Sequence, residues 1–342
     1  MDVDGLGLTP AEFAAALAPL AARIEEDEYS IGGEVEALER TFAGLLGKER
    51  AVFVPTGTLA NHLALRRLTR GRGARVLLQE VSHVYNDSGD AAQRLSGLNL
   101  VPLAAGKATF VRADVARALD AAASARVSAP VGAISIESPV RRLHGETFDL
   151  GEMRAISALA RDRGIGLHLD GARLFVASAY SGVPPADYAA LFDTVYLSLW
   201  KSFSSGSGAI LAGPRSLLDD LFQERRMFGG ALFSAWPFAA VARRNADGVL
   251  ERLKAAVAAS ETFLASISND RGFAVSRIRN GTSRFQIAPV GVAPAGFRER
   301  LLARGVRLPA PSPDGFWPTV NETWTRMTPE ELARVFRESL KR

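Results

Sequence analysis

The sequence predicts an α/β fold: a mostly parallel, seven-stranded-type sheet sandwiched by helices, followed by a smaller α+β carboxy-terminal domain. Two features predict it. Seven short apolar runs alternate with stretches of helical period: Ala51 to Val54, Arg75 to Gln79, Leu98 to Leu103, Val131 to Glu137, Gly166 to Asp170, Thr194 to Ser198 and Ala209 to Ala212. Runs of this kind fit strands covered on both faces, as in parallel sheets. From about Trp236 the alternation gives way to a long alanine-rich stretch and then to short strands.

Taken in order, Pro10 to Arg23 and Glu34 to Leu46 read as amphipathic helices. The strand Ala51 to Val54 passes through Pro55-Thr56-Gly57-Thr58 into a helix from Leu59 to Leu68. Asp149 to Arg163 is helical and separates the strands that end at Glu137 and Asp170. Beyond the sheet, Pro237 to Leu264 reads as one long helix, with strands near Phe273 to Ile278 and Ser283 to Ile287 and a helix near Ala295 to Ala303. The last helix, to Leu340, opens on Thr328-Pro329-Glu330-Glu331. There threonine caps, proline takes the first position and the acids complement the helix dipole. The implied division is a helical segment over 1–30 packing on the small domain, a large domain over 31–245 and a small domain over 246–342.

Composition bounds the function. With 342 residues, 47% hydrophobic, the chain can bury a large core. The lack of cysteine excludes disulfides, thiolate metal sites and cysteine nucleophiles, and His62, His83, His144 and His168 are too scattered for a metal site. The net charge is +4, and Arg141-Arg142, Arg225-Arg226 and Arg243-Arg244 lack interleaved aromatics, so no nucleic-acid partner is expected. No apolar run is long enough for a membrane span, and the start, with Asp2 and Asp4, does not resemble a leader. A soluble, cytoplasmic protein acting on a small molecule is expected.

In open parallel sheets ligands lie outside the carboxyl ends of the strands, and three motifs fall there. At Pro55-Thr56-Gly57-Thr58 the helix amino terminus, with Gly57 allowing close approach and the Thr58 hydroxyl adding a donor, forms a phosphate cradle or simply a capped helix. Asp170 ends its strand and is either the carboxylate partner of a heterocyclic nitrogen or a cap for the turn that follows. Arg173, three residues on, can grip a carboxylate with its two-pronged face or form a structural ion pair. Lys201 follows an apolar strand and precedes a loop of small residues, which suits an amine held in a cleft to form a Schiff base. Ser198 is placed to reach a phosphate, and His83, after the second strand, to stack on a ring and move a proton. Arg225 and Arg226 are weaker candidates. Strand-end lysine, strand-end aspartate and Gly-Thr turn together make the pattern that pyridoxal 5'-phosphate chemistry requires.

These stretches resemble the threonine aldolase and β-eliminating lyase family of fold-type-I pyridoxal phosphate enzymes. The resemblance runs from about Tyr29 to Ala242. It rests on Phe53 to Asn61, His83, His168-Leu169-Asp170-Gly171-Ala172-Arg173 and Ser198 to Lys201, with further matches at Tyr29 to Gly33, Leu38-Glu39, Glu137 and Arg226 to Gly230. It implies that Lys201 carries the cofactor, Asp170 pairs with the ring nitrogen and His83 stacks on the ring and helps deprotonate a β-hydroxyl. Gly57, Thr58 and Ser198 would hold the phosphate, and Arg173 would face the substrate carboxylate. The implied reaction cleaves the Cα–Cβ bond of a β-hydroxy-α-amino acid to glycine and an aldehyde. The implied assembly is a homo-oligomer, dimer or tetramer, with shared active sites. β-Elimination or transamination on the same scaffold is the alternative, and a silent binding protein a third reading.

The chain also departs from the family pattern. Glu137-Ser138-Pro139-Val140 lacks the usual second histidine, for which His144 is the nearest substitute. Trp200, Ser202 and Phe203 surround Lys201 in place of the usual residues, and Phe233 stands where an arginine is usual. The early serine that contacts the substrate carboxylate has no assigned counterpart, and Arg284 and Arg326 are candidates for the carboxy-terminal arginine.

Overall fold

A computed structural model describes residues 1–341. The main sheet contains β1 (Arg50–Val54), β2 (Arg75–Gln79), β3 (Asn99–Leu103), β4 (Val131–Glu137), β5 (Gly166–Asp170), β6 (Thr194–Ser198) and β7 (Ala209–Gly213), in the order β1-β7-β6-β5-β4-β2-β3. Only β7 runs against its neighbours β1 and β6; the other pairings are parallel. The strands β4 to β7 are buried at every position, which is why their sequences are apolar runs rather than alternations. Since β1 points the same way as β6, the carboxyl ends of β1, β2, β4, β5 and β6 open on one edge. The register pairs Glu137 with Asp170 and Asp170 with Tyr196 across that edge.

The largest core cluster packs Leu38, Phe42 and Phe53 with Ile134, Leu169, Phe175, Leu197 and Phe203. A second cluster, with Phe263, Phe297, Phe316, Trp324 and Phe336, lies around the antiparallel pair β8 (Phe273–Arg277) and β9 (Phe285–Pro289). Among the described residues no helix is long and apolar enough to cross a membrane.

Two expected helices come out differently. Proline at 19 removes a donor and blocks the preceding turn, so the first helix stops at Leu17 and only a short 3₁₀ turn, Ala21–Arg23, follows. The single helix expected over Pro237 to Leu264 is two, Trp236–Ala246 and Val249–Ile267, broken where Gly248 takes φ +61°. Alanine-rich sequence on both sides hides the break, and only glycine adopts this left-handed conformation without strain. Arg252 spans the break: its Nε meets Glu322 Oε2 at 2.6 Å, its Nη2 donates to the Asn245 carbonyl at 2.6 Å and its Nη1 to the carbonyl of Asp247.

The first nine residues form a strap between the two clusters. Thr319 N–H donates to the Met1 carbonyl at 2.9 Å, and Asn321 Nδ2 donates to the carbonyls of Val3 at 2.7 Å and Gly5 at 2.9 Å. On the other side Gly5 lies so close to the Trp200 and Lys201 carbonyls that a Cβ would stand 2.9 and 3.0 Å from them. Leu6 N–H reaches Ser204 Oγ at 3.4 Å.

Candidate active site

The strand ends gather most of the expected residues. Asp170 is buried, and Asn61 Nδ2 donates to its Oδ2 at 2.7 Å while the amide of Ala172 donates to Oδ1 at 3.3 Å. Asn61 Oδ1 in turn lies 2.8 Å from His168 Nε2, and His168 Nδ1 lies 2.9 Å from Thr194 Oγ1. An amide oxygen only accepts, so Nε2 carries the hydrogen and Nδ1 accepts from the threonine hydroxyl. Burial drives the His168 pKa down to about 4, so the ring is neutral at pH 7. This buried chain fixes the direction in which the Asp170 carboxylate points. Asp170 thus uses both oxygens, one on a turn amide and one on Asn61.

Lys201 lies in the short helix Leu199–Ser202 directly after β6. Burial, reinforced by the Arg173 charge and partly offset by Asp170, Asp4 and Glu137, pushes its pKa down to about 8. A lysine with this value supplies free amine near neutral pH, as a nucleophilic lysine must. Its neighbour Trp200 is exposed, with the Lys201 ammonium 5.3 Å from the ring centre, whereas Phe203 is buried between the rings of Phe42 and Phe175.

The helix Gly57–Thr69 opens with Thr56 as cap, its side chain accepting the Leu59 amide at 3.2 Å. Among the described residues the amides of Gly57 and Thr58 have no hydrogen-bond partner. Beneath them stands Tyr196, whose hydroxyl oxygen would lie 1.9 Å from a Cβ on Gly57, so no larger residue fits this turn. Ser198 Oγ is buried and has no partner among the described residues. Two unused amides at a positive helix end beside an orphaned hydroxyl have the donor chemistry that a phosphate satisfies. A cofactor with a phosphate, a protonated ring nitrogen and a carbon open to an amine therefore fits the residues present.

His83 opens the short helix after β2, and its amide donates to Glu137 Oε2 at 2.6 Å. Glu137 Oε1 accepts the Arg141 amide at 2.8 Å, and burial together with the Asp170 charge raises the pKa of this carboxyl. The His83 ring is partly exposed and feels Asp170 and Lys201, with burial holding its pKa below the usual histidine value. It is therefore neutral at pH 7 and able to accept a proton.

The substrate end departs most from expectation. Arg173 already grips a carboxylate, that of Asp4 in the strap, with Nε–Oδ1 at 2.9 Å and Nη2–Oδ2 at 2.7 Å. Arg284 lies within electrostatic reach of Asp4 and Arg173, whereas Arg326 faces the other side of the strap in a cavity of about 350 Å³ with Met1, Asp2 and Glu12. His144 stacks on Trp317 at 3.9 Å with the rings 10° apart. The buried Arg225 is structural, donating to the carbonyls of Phe53, Ser30 and Tyr29, and Arg226 lies over the Tyr29 ring. Phe233 packs edge-on against the same ring.

The Asn61–His168 pair received no role in the sequence reading, although His168 lies two residues before Asp170 on one strand and so shares its face. The Asp4 contact had no signal of this kind.

A model of the beta-eliminating lyase family matches residues 9–283. The chain belongs to that family. It is 29% identical over 229 residues to the low-specificity L-threonine aldolase of Saccharomyces cerevisiae, covering 67% of this chain. It is 31% identical over 216 residues to that of Eremothecium gossypii, covering 63% of this chain. The matched stretches span only 58% and 56% of those two relatives. A proposed L-allo-threonine aldolase of Listeria monocytogenes superposes with a TM-score of 0.81 at 26% identity, over 98% of this chain and 95% of its own. A Leishmania major threonine aldolase, at 17% identity and a TM-score of 0.73, shares the fold.

Proposed function

We propose that this family member is a pyridoxal 5'-phosphate-dependent lyase that cleaves the Cα–Cβ bond of a β-hydroxy-α-amino acid, releasing glycine and an aldehyde. The observation that carries the reading is the placing of Lys201 and Asp170 on adjacent strand ends, the lysine depressed to about 8 and the aspartate held by Asn61. When bound, the cofactor would supply an electron sink for the pair released as the Cα–Cβ bond breaks. The chain's own groups do the rest. The Gly57 and Thr58 amides and Ser198 Oγ would hold the phosphate, Lys201 the carbonyl carbon and Asp170 the protonated ring nitrogen. His83, neutral and beside the cleft, would stack on the ring and take the β-hydroxyl proton.

The names of the relatives support this activity, and the intact cofactor end supports the cofactor. The exposed apolar side chains Tyr29, Ile31, Met227 and Phe233 favour a homo-oligomer. One observation favours a second reading: a relative at 28% identity is an alanine racemase of Cochliobolus carbonum, and the substrate end here lacks the family's second histidine. A different reaction at the amino acid's α-carbon, racemisation as in that relative or elimination or transamination, would follow.

The test incubates the purified protein and cofactor with threonine, allo-threonine and phenylserine. Glycine and the matching aldehyde are expected, with a visible cofactor band that Lys201→Ala removes along with activity, a loss of about 10⁴-fold or more. Pyruvate, ammonia or racemised substrate without glycine would overturn the aldolase reading and leave the cofactor reading standing.

A further inference from the structure

We propose that Asp4 determines how the substrate is recognised: by occupying the Nε and Nη2 edge of Arg173, it transfers recognition of the substrate's carboxylate to Arg284. The inference rests on the reading that the cleft binds an amino acid. The Asp4–Arg173 pair has a two-pronged geometry and is nearly closed to solvent, with side-chain exposures of 11% and 8%. Despite its burial the Asp4 carboxyl is held below the usual carboxylate range, by Arg173 first and then by Lys201 and Arg284. It is a fixed negative charge inside the cleft.

Asp4 is placed by construction. Asn321 grips the carbonyls on either side of it, at Val3 and Gly5, and Gly5 is pressed on the carbonyls of Trp200 and Lys201. A second carboxylate approaching Arg173 would meet a guanidinium whose charge is already balanced and a carboxylate that repels it. Displacing Asp4 would leave a buried charge without its partner, which is strongly unfavourable.

Arg284 is the available cation. It precedes β9, is half-buried and has no carboxylate within ion-pair distance among the described residues. Asp4, Arg173 and Arg141 are the charges that reach it. Beside it the stacked His144 and Trp317 close one wall, and the pKa of His144 is lowered by burial and by Arg284 itself. Two arginines thus divide the work: Arg173 secures the strap, and Arg284 meets the substrate.

The experiment measures binding, not turnover. Dissociation constants of glycine and glycinamide are read from the visible band of the cofactor-loaded protein, in the wild type, Asp4→Asn, Asp4→Ser, Arg284→Gln and Arg284→Lys. Glycine is expected to bind the wild type more tightly than glycinamide. Arg284→Gln should weaken glycine about tenfold or more and leave glycinamide nearly unchanged, with partial recovery in Arg284→Lys. Asp4→Asn and Asp4→Ser should free Arg173 and tighten glycine by roughly tenfold. If Arg284→Gln leaves glycine binding intact, or if both Asp4 variants weaken it while retaining the band, the inference is wrong. A loaded wild type that binds neither glycine nor glycinamide overturns the amino-acid reading itself, and this proposal with it.

Discussion

The two ends of the cleft are built in opposite ways. At the proposed cofactor end the groups sit at or just past the strand ends of one sheet: Asp170 and Ser198 on β5 and β6, Lys201 and His83 in the short helices after β6 and β2, and Gly57 and Thr58 at the start of the helix after β1. The buried chain Thr194, His168 and Asn61 holds Asp170 from behind. At the proposed substrate end only Arg173 follows a strand of that sheet, whereas Asp4 comes from the strap and His144, Arg284 and Trp317 from loops and turns far along the chain from the strap. A sheet fixes positions through register, whereas converging loops and a strap allow residues to be exchanged one at a time. The contrast accounts for a proposed cofactor end that keeps residues resembling the family's beside a proposed substrate end that departs from them.

The sharpest way to break this contrast is at Asp170. The role proposed for Asp170, partner of the ring nitrogen and not of the substrate, predicts that Asp170→Ala lowers turnover by about 10³-fold with little change in substrate affinity. A change confined to KM would place Asp170 at the substrate end. Next in size is a pH effect on stability. The folded His168 pKa, about 4, lies below the ordinary histidine value near 6.5, so between those pH values the unfolded chain binds a proton that the folded chain does not. Stability contributed by the neutral ring is complete above about pH 6.5 and is lost as pH falls toward 4, by on the order of 3 kcal/mol. Denaturant titrations of wild type and His168→Gln at pH 7 and 5 check this. The variant should lose less on acidification, and equal losses would show that the ring is not the source.

Smaller effects distinguish the walls of the cleft. Gly57→Ala forces a methyl onto the Tyr196 hydroxyl and should weaken cofactor affinity about ten- to a hundredfold, measured by titrating the visible band. Unchanged affinity would remove the helix terminus from the phosphate site. Trp317→Ala, which strips the ring from His144, should alter KM only a few-fold and leave cofactor binding alone. A loss of cofactor would mean that the two ends are not separable.

The same contrast governs what was legible in the sequence. Strands buried on both faces announce themselves as apolar runs, and a charged residue at the end of such a run, like Asp170, or just past it, like Lys201, stands out against them. That is why the sheet, the helix after β1 and the meeting of Asp170 and Lys201 at neighbouring strand ends could be read. The break at Gly248 could not, because alanine favours helix on both sides of it and one glycine carries little weight against that. The partner of Arg173 could not either, because Asp4 lies 169 residues away in a segment with almost no regular structure. Two candidate arginines were equivalent on paper, and only the folding of residues 283–326 over the strap separates Arg284 from Arg326.

The Gly248 crossing carries one more consequence. Gly248 is a single left-handed residue between two helices and so a natural pivot, although Val249 and Leu253 just beyond it still pack in the larger cluster and only from Ala256 does the chain join the carboxy-terminal one. Arg252 ties both sides of that residue to Glu322. Rotation about the pivot has to unlock the arginine first. The side of the cleft bearing Arg284 and Trp317 is therefore latched like a door with its bolt at the hinge, by a guanidinium that does not belong to the wall itself together with the seating of Val249 and Leu253 in the larger cluster.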